Sequence, residues 1–523
     1  MSGFQKWSQN ASSSSTSPLA STGASGTLAP DPPTHRPERP QCSRPCEVLI
    51  DPAGGPASVP ASCVYKVHSG ASHRSAASST SPDLISQGLL SLSEASSLFD
   101  LYHQRLDHFL YRILGDHNHL NTIRSGSPLL TAAVCAVGAL HSLTLGHLFT
   151  VCYREFQNLV AALTFTSLPN ADDVRGLCIG AFWLNELSWV LVGTAVRVSA
   201  DIRLHQGIYK ALKGDRNGYL DTRLYYLVYI CDSHFSVAYG RPPMTRECDI
   251  IGAGQLFLET EHATEDDERL VSQVLEWSVL SRVFDTFGVD VEAQFPVHFL
   301  PPLRRFSIAL DNWYADWNER FTPNRNVGNY PQKGVGLHFH FAKLYLCAHA
   351  FRGAPTAQES SRSLSPELGE IANTGVLCAM SILRVIVSDV ELQSFLNGLP
   401  LYFDTMIAFA VVFLLKVATK YATAVRIDTK QILALVSETV RILSDTTRSM
   451  HPEHLLVSIA EGLEKLLLKC QELGPGTPKP VMHPFPSPGE LDNAPEDLSW
   501  MENLTNFDFL SNIPIFENWS FPV

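Results

Sequence analysis

From about residue 93 to residue 472, apolar side chains recur at steps of three and four residues along almost the entire stretch. Its first part carries Leu98, Leu101, Tyr102, Phe109 and Ile113, which share one face only if the backbone is helical. The alternating β-branched runs that indicate a sheet are largely missing. The sequence therefore predicts an all-α fold, with one large body built from many helices.

Capping and breaking residues divide this stretch into separate predicted helices. Ser127 and Pro128 mark one start, because serine caps a helix and proline fits its first turn. The run from Gly240 to Pro243 marks one end. The predicted helices span roughly 93–113, 127–137, 148–163, 172–188, 189–204, 220–238, 306–317, 336–351, 370–389, 401–421, 430–446 and 453–471. Loops are predicted at 207–218, 252–266, 322–335 and 353–366.

The two ends of the chain differ from this body in composition. Residues 1–92 are rich in Ser, Pro, Ala and Gly and cannot bury enough apolar surface to offset chain entropy, so they are predicted to form a disordered arm. Residues 473–523 begin as a proline-rich linker and then interleave acidic residues with large apolar ones. The predicted division is therefore an arm, a helical body over 93–472 and a C-terminal segment.

Charge and cysteine usage exclude some functions. The chain has 52 acidic and 39 basic residues and a net charge of −13, so any nucleic-acid contact must use a local patch. Its 11 cysteines lie mostly in apolar runs, which suits reduced thiols in an intracellular protein. The longest apolar run, Met406 to Leu415, ends at Lys416 and is too short to cross a bilayer, so no membrane partner is expected.

Catalytic motifs are not evident. The pair Asp172-Asp173 and the run from Glu265 to Glu268 suggest a metal-diphosphate site of the terpene-cyclase type, but no further carboxylate completes either cluster. We interpret the pair as the first turn of a helix and the run as a solvated loop. Histidines such as His338 and His340 are spaced to face opposite sides of a helix, which is unsuitable for one metal ion.

Two segments, Ser188 to His205 and Arg223 to Pro243, carry a specific pattern. The first has a G-x-A-x-R helix that ends in Leu-His, and the second has an aromatic pair, an aspartate and a closing Gly-Arg-Pro. They resemble the middle homology region of the fungal binuclear zinc-cluster (Zn2Cys6) transcription factors, with Tyr225-Tyr226 where tryptophan is usual. The residues that carry the pattern are Trp189, Gly193, Arg197, Asp201, His205, Arg223, Asp232, Gly240, Arg241 and Pro242.

The resemblance covers about residues 93–470 and implies a regulatory body without a catalytic role, in a nuclear protein that acts on DNA. Read by their chemistry, the motif residues are predicted to be architectural. Gly193 is expected to let another helix approach closely. Arg197 and Asp201 lie one turn apart and are expected to form an ion pair. Asp232 and Arg241 are expected to tie the end of one helix to the following turn.

The DNA reader of this family needs six cysteines that share two zinc ions. Cys42, Cys46 and Cys63 are candidates for a remnant of it, but zinc is not supported by a complete ligand set in this chain. Either an upstream part is missing from this sequence or the protein regulates without reading DNA itself. The resemblance also implies a homodimer or heterodimer, although no coiled coil is evident in residues 47–92.

The acidic and aromatic C-terminal segment fits the same family. Acids keep aromatic side chains solvated and available to a coactivator groove, which is how amphipathic activation segments work. The candidate contact residues are Trp500, Phe507, Phe509, Leu510, Phe516 and Trp519. We therefore predict a fungal nuclear regulator of a metabolic or secondary-metabolite gene set. The alternatives are a DNA-free cofactor or decoy that pairs with intact relatives, a purely structural interaction protein, and an all-α enzyme of the terpene-cyclase type.

Overall fold

The computed structural model describes residues 82–164, 169–288, 295–352, 364–419, 421, 425 and 428–472. The candidate zinc ligands, the activation segment and the N-terminal arm up to residue 81 lie outside these residues. Within the described ranges every regular element is helical, and the one β-bridge, between Asn324 and Gly328, is isolated. The all-α prediction is therefore confirmed for the part of the chain that the structure describes.

The helices are numbered α1 to α18 in chain order. They are α1 Leu92–Leu101, α2 Leu120–Gly126, α3 Pro128–Leu140, α4 Phe149–Thr164, α5 Ala171–Trp183, α6 Ser188–Asp201, α7 Gly207–Ala211, α8 Arg216–Ala238, α9 Asp249–Gly252, α10 Gly254–Leu258, α11 Glu265–Phe287, α12 Leu300–Trp317, α13 Tyr330–Ala348, α14 Pro366–Ser388, α15 Val390–Phe395, α16 Leu401–Thr419, α17 Thr429–Thr447 and α18 Leu455–Glu472.

Several helix starts follow from local sequence. Ser127 caps α3, accepting a hydrogen bond from the Leu130 N–H at 3.0 Å, and Pro128 occupies the first turn, as predicted. Asn170 caps α5, and the Asp173 carboxylate accepts a hydrogen bond from the Asn170 N–H at 2.9 Å. The interpretation of Asp172-Asp173 as a first helical turn is therefore confirmed.

Other element predictions were wrong. The run from Glu265 to Glu268 is the first turn of α11, a helix missing from the prediction, because carboxylates there face the positive end of the helix dipole. The predicted loop 207–218 contains α7 and the start of α8, and the loop 252–266 contains α10. The predicted loop 322–335 ends early because Pro331 fits the first turn of α13. The break after α5 falls at Leu184, earlier than predicted.

The helices pack as a continuous series of neighbours. α3 packs on α4 and α5, α5 on α6 and α8, and α8 on α11, after which α11 to α14 pack in succession. α14, α17, α18 and α5 surround α16, whose side chains are almost all buried. Among the described cysteines, only Cys248 is exposed. The core therefore runs through the body from α1 to α18, and α3, α5, α8 and α16 are buried over most of their length.

Among the described residues, two helices, α14 and α16, are long and apolar enough to cross a membrane by length and composition alone, and α5 and α6 would make a third if counted as one bent span. In α16 the apolar residues continue beyond the run from Met406 to Leu415 in both directions, so the expectation of a run too short for a bilayer does not hold for the whole helix. A helix that is apolar on all sides is also what the centre of a large helical body requires. The helices packed around α16 supply that environment here.

Candidate functional site

The two motif segments fold onto α6 and α8, which pack against each other. At one end of this pair, the guanidinium of Arg241 lies 4.8 Å from the ring centroid of Trp189 and 5.4 Å from that of Tyr239. The two rings are 5.8 Å apart. A cation over aromatic faces is a favourable contact even when exposed. This cluster therefore joins the start of the first motif segment to the end of the second.

The Gly-Arg-Pro sequence ends α8 by a defined turn. Gly240 has φ +60°, and the Arg241 N–H donates to the carbonyl of Ser236 at 2.8 Å, which is the hydrogen bond of a Schellman motif. Glycine adopts this left-handed conformation without the steric cost of a side chain. Pro242 follows and is exposed. The motif therefore fixes where α8 stops and where the next loop begins.

Arg223 is buried in the body and pairs with Asp267 of α11. Its Nε donates to the Asp267 Oδ1 at 2.5 Å, and the Tyr219 hydroxyl donates to the Oδ2 at 2.8 Å. Burial lowers the pKa of Arg223, but Asp267, Tyr219 and Asp266 together outweigh this and hold that pKa above its usual value. Asp267 also accepts the N–H and hydroxyl of Thr264 at 2.8 and 2.9 Å, so one carboxylate caps α11 and anchors α8.

Asp232 and Arg241 do not tie the helix end to the turn, contrary to the prediction. Arg241 stacks on the aromatic cluster, and the Asp232 carboxylate accepts the backbone N–H and the hydroxyl of Thr245, both at 2.6 Å. Burial raises the pKa of Asp232, and the Thr245 hydrogen bonds oppose that rise. Asp232 therefore holds the loop that follows Gly240 in place, and its partner in that loop is Thr245 and not Arg241.

The remaining motif residues lie nearer the surface. Arg197 and Asp201 form the predicted ion pair, at 3.3 Å between Nη1 and Oδ2, and both are exposed. A side chain at Gly193 would meet only Met244, 3.6 Å from its sulfur, so Gly193 does not provide the predicted close helix approach. The His205 ring lies 6.3 Å from that of Tyr225. Of these residues, only His205 contacts a side chain of α8.

Residues 107–115, which follow the helical turns after α1, are bound by arginines from three helices. Arg175 of α5, Arg223 of α8 and Arg269 of α11 each donate to backbone carbonyls in this segment. The acceptors are Ile113 for Arg175 at 3.1 Å, Tyr111 and Arg112 for Arg223, and His108 for Arg269 at 2.8 Å. We call residues 107–115 the arginine-bound segment.

The arginine-bound segment has a conformation that needs such support. Tyr111 and Arg112 have φ values of +57° and +52°, which side-chain-bearing residues rarely adopt. Asp107 lies at its start, buried, and its Oδ1 accepts the Leu114 N–H at 3.3 Å. Burial raises the pKa of Asp107 to about 7, against the lowering effects of the Leu114 N–H and the nearby arginines. The sequence alone does not reveal this segment, because the three arginines that bind it lie far from it in the chain.

The carboxylates suggested for a diphosphate site have protein partners. Asp172 contacts the Nε2 of His117 at 2.9 Å and a guanidinium nitrogen of Arg175 at 2.5 Å, and Asp173 accepts the Ser127 hydroxyl at 2.6 Å. Across the described ranges, no group of three or more His, Cys, Asp or Glu residues is placed to hold a metal ion. Asp172 and Asp173 therefore serve to cap a helix and to connect it to neighbouring segments.

The fold and the joined motif segments define the class: the middle region of a fungal transcription factor. The sequence profile described as "Transcriptional activator of proteases prtT middle domain" matches residues 88–466, and the chain belongs to this family. It is 36% identical over 395 residues to "Transcriptional activator of proteases prtT" of Emericella nidulans. That alignment covers 74% of this chain and 59% of the relative. The resemblance predicted from the motif segments is therefore confirmed.

Proposed function

We propose that this chain regulates transcription of a gene set in the nucleus of a fungus, and that it does so as an activator rather than as an enzyme. The match of residues 88–466 to the middle domain of a transcriptional activator carries this proposal. The name of the 36% identical relative makes protease genes the first gene set to examine. The same reasoning makes transcription-machinery proteins its expected partners.

We assign the regulatory role to the helical body, over about residues 93–472, and activation to residues 473–523. The buried tie between Arg223 and Asp267, the Gly240 turn and the arginine-bound segment give this body defined contacts between distant helices. Such a body can hold or release an attached activation segment as its helix contacts change. Promoter contact would then come through a dimer partner or through a DNA reader other than Cys42, Cys46 and Cys63.

A reporter assay tests the activation role. The full chain is fused to a heterologous DNA-binding module, and transcription from the cognate promoter is measured. We expect the fusion to activate, and we expect alanine at Trp500, Phe507, Phe509 and Phe516 together to abolish activation, because a coactivator groove binds such aromatic side chains. The matched control places alanine at Pro478, Pro480, Pro484 and Pro486, in the linker of the same segment.

The two variants separate the possible outcomes. Activation that survives the linker change and is lost with the aromatic change supports residues 473–523 as the activation segment. Unchanged activation by the aromatic variant would contradict that assignment. The full-length fusion protein could also accumulate normally without activating the reporter. That result would contradict the activator role and favour a DNA-free cofactor.

A further inference from the structure

A surface pocket lies where α5 bends sharply into α6. The chain turns by 113° between Ala171–Trp183 and Asn185–Asp201, and the start of α4 and the loop before α18 cover the same side. The cavity between these elements has a volume of about 210 Å³. Pockets for drug-sized ligands usually measure about 300–1,000 Å³, so this one suits a smaller group.

Three aromatic side chains, Phe149, Tyr153 and Trp183, line the pocket. The Phe149 and Tyr153 rings stack at 5.4 Å between centroids and are nearly parallel. Trp183 is 3% exposed, and its indole N–H has no hydrogen-bond partner within the described residues. That N–H is itself covered by the protein, so Trp183 contributes aromatic surface to the pocket and not a hydrogen-bond donor.

Two carboxylates complete the lining. Glu186 comes from the turn between α5 and α6, and Glu453 comes from the loop before α18. Both lie close enough to Tyr153 to raise the pKa of its hydroxyl, which is raised chiefly by burial, and that hydroxyl donates to the Glu186 Oε2 at 3.1 Å. In the part of the chain described, no lysine, arginine or histidine lies within ion-pair distance of either carboxylate.

We propose that this pocket binds a small organic cation, a primary ammonium or a guanidinium group. Aromatic faces attract such a cation through the ring quadrupole, and the two carboxylates supply charge that no neighbouring basic residue neutralises. The lining comes from α4, the end of α5, the turn between α5 and α6, and the loop before α18. An occupied pocket would therefore stabilise the bend between α5 and the first motif segment.

Calorimetric titration of the full chain tests the site. The probes are n-pentylammonium and agmatine, and pentan-1-ol serves as a neutral control of similar shape. We expect saturable binding of both cations, with a Kd of roughly millimolar order, and none of the alcohol. The double variant Glu186→Gln and Glu453→Gln should weaken binding about fivefold or more, since each exposed charge pair contributes modestly.

The variant Glu259→Gln removes one exposed negative charge outside the pocket and should bind the cations as the unaltered chain does. Equal binding of the cations and pentan-1-ol, or unchanged affinity in the double variant, would overturn the proposal, as would no saturable binding at all. A capped lysine derivative distinguishes the source: binding as tight as that of n-pentylammonium points to a partner protein's side chain, and clearly weaker binding points to a free amine. The titration involves no promoter, so its result is independent of the proposed role in transcription.

Discussion

The two ion pairs of the motif segments differ in what surrounds them. Arg223 and Asp267 are buried, 2.5 Å apart, and Asp267 has further donors in Tyr219 and Thr264. Arg197 and Asp201 are exposed on α6. Removing one partner of a buried pair leaves an uncompensated charge, whereas an exposed pair contributes little. The motif therefore supplies Arg223 to a buried pair that supports the fold, and its other pair, Arg197 and Asp201, lies on the surface.

We predict that Asp267→Ala lowers the free energy of unfolding by about 3–5 kcal/mol, because it leaves the Arg223 guanidinium buried without its carboxylate and removes a helix cap. Arg197→Ala is the matched control and should change it by less than about 0.5 kcal/mol. Urea denaturation followed by circular dichroism measures both. Equal effects of the two substitutions would show that the buried pair has no special role.

Asp107 gives the body a pH dependence. Burial raises its folded-state pKa to about 7, while the unfolded chain has the ordinary value of about 4. Between these values the unfolded chain releases the proton and the folded chain keeps it, so this residue lowers stability as pH rises, by up to about 4 kcal/mol in total. Below about pH 4 both states are protonated and the effect disappears.

Asp107→Asn removes this titration and keeps an oxygen acceptor for the Leu114 N–H. We expect the variant to become more stable than the unaltered protein as pH rises from about 5 to about 8, with the difference growing across that interval. Unfolding free energies at the two pH values provide the measurement. A difference that stays constant with pH would mean that Asp107 is ionised in the folded protein throughout.

Single residues were predictable from the sequence only where the partner is close in the chain. Arg197 and Asp201 are one helical turn apart, so their contact follows from spacing. Arg223 and Asp267 come from different helices, and no spacing rule joins them. The spacing of Thr264 and Asp267 was a readable helix-start signal for α11, because a threonine followed three residues later by an acid forms a capping box.

At the level of helices, α7 and α8 approach each other closely at two glycines, Gly207 and Gly218. A methyl group added at Gly218 would lie 2.8 Å from the Ala211 nitrogen and 2.8 Å from the Gly207 carbonyl oxygen. At Gly193 the nearest atom would be the Met244 sulfur, at 3.6 Å. The close approach predicted at Gly193 is therefore absent there, whereas Gly207 and Gly218, which lie in the region predicted as a loop, do have one.

Gly218→Ala should therefore destabilise the protein, by about 1–3 kcal/mol, because the two helices must separate. Gly193→Ala should be neutral or stabilising by up to about 1 kcal/mol, since alanine is the better helix former and the space is free. Thermal denaturation of the two variants under one set of conditions tests whether the first substitution lowers stability and the second does not. A stabilising Gly218→Ala would contradict the packing of α7 on α8.

The pattern of apolar residues predicted most helices but not all their boundaries. The pattern missed α11, because the acidic first turn of this helix resembles a solvated loop in sequence. Asp267 in that turn and Glu276 further along the helix are nevertheless buried. It placed the break after α5 too late, because the turn from α5 into α6 has no glycine or proline to mark it. The spacing of apolar residues predicts which face of a helix is buried. It does not predict the hydrogen-bond partners of buried polar groups, because tertiary packing sets those partners.

For the protein as a unit, the helices from α1 to α18 share one extended core, and both motif segments belong to it. The family match over residues 88–466 covers nearly all of these helices. The family was predictable because its motif residues cluster in two short segments, whereas the pocket beside Trp183 was not, because it joins elements from distant parts of the chain.

The most direct test of a regulatory role is a transcript profile. RNA sequencing would compare a strain that lacks this gene with the same strain after the unaltered gene, or the Asp267→Ala variant, is restored. We predict that one defined set of transcripts falls on deletion and returns with the unaltered gene, but not with a variant whose helical body is destabilised. A transcript profile that is the same with and without the gene, under growth conditions in which the protein is made, would contradict it.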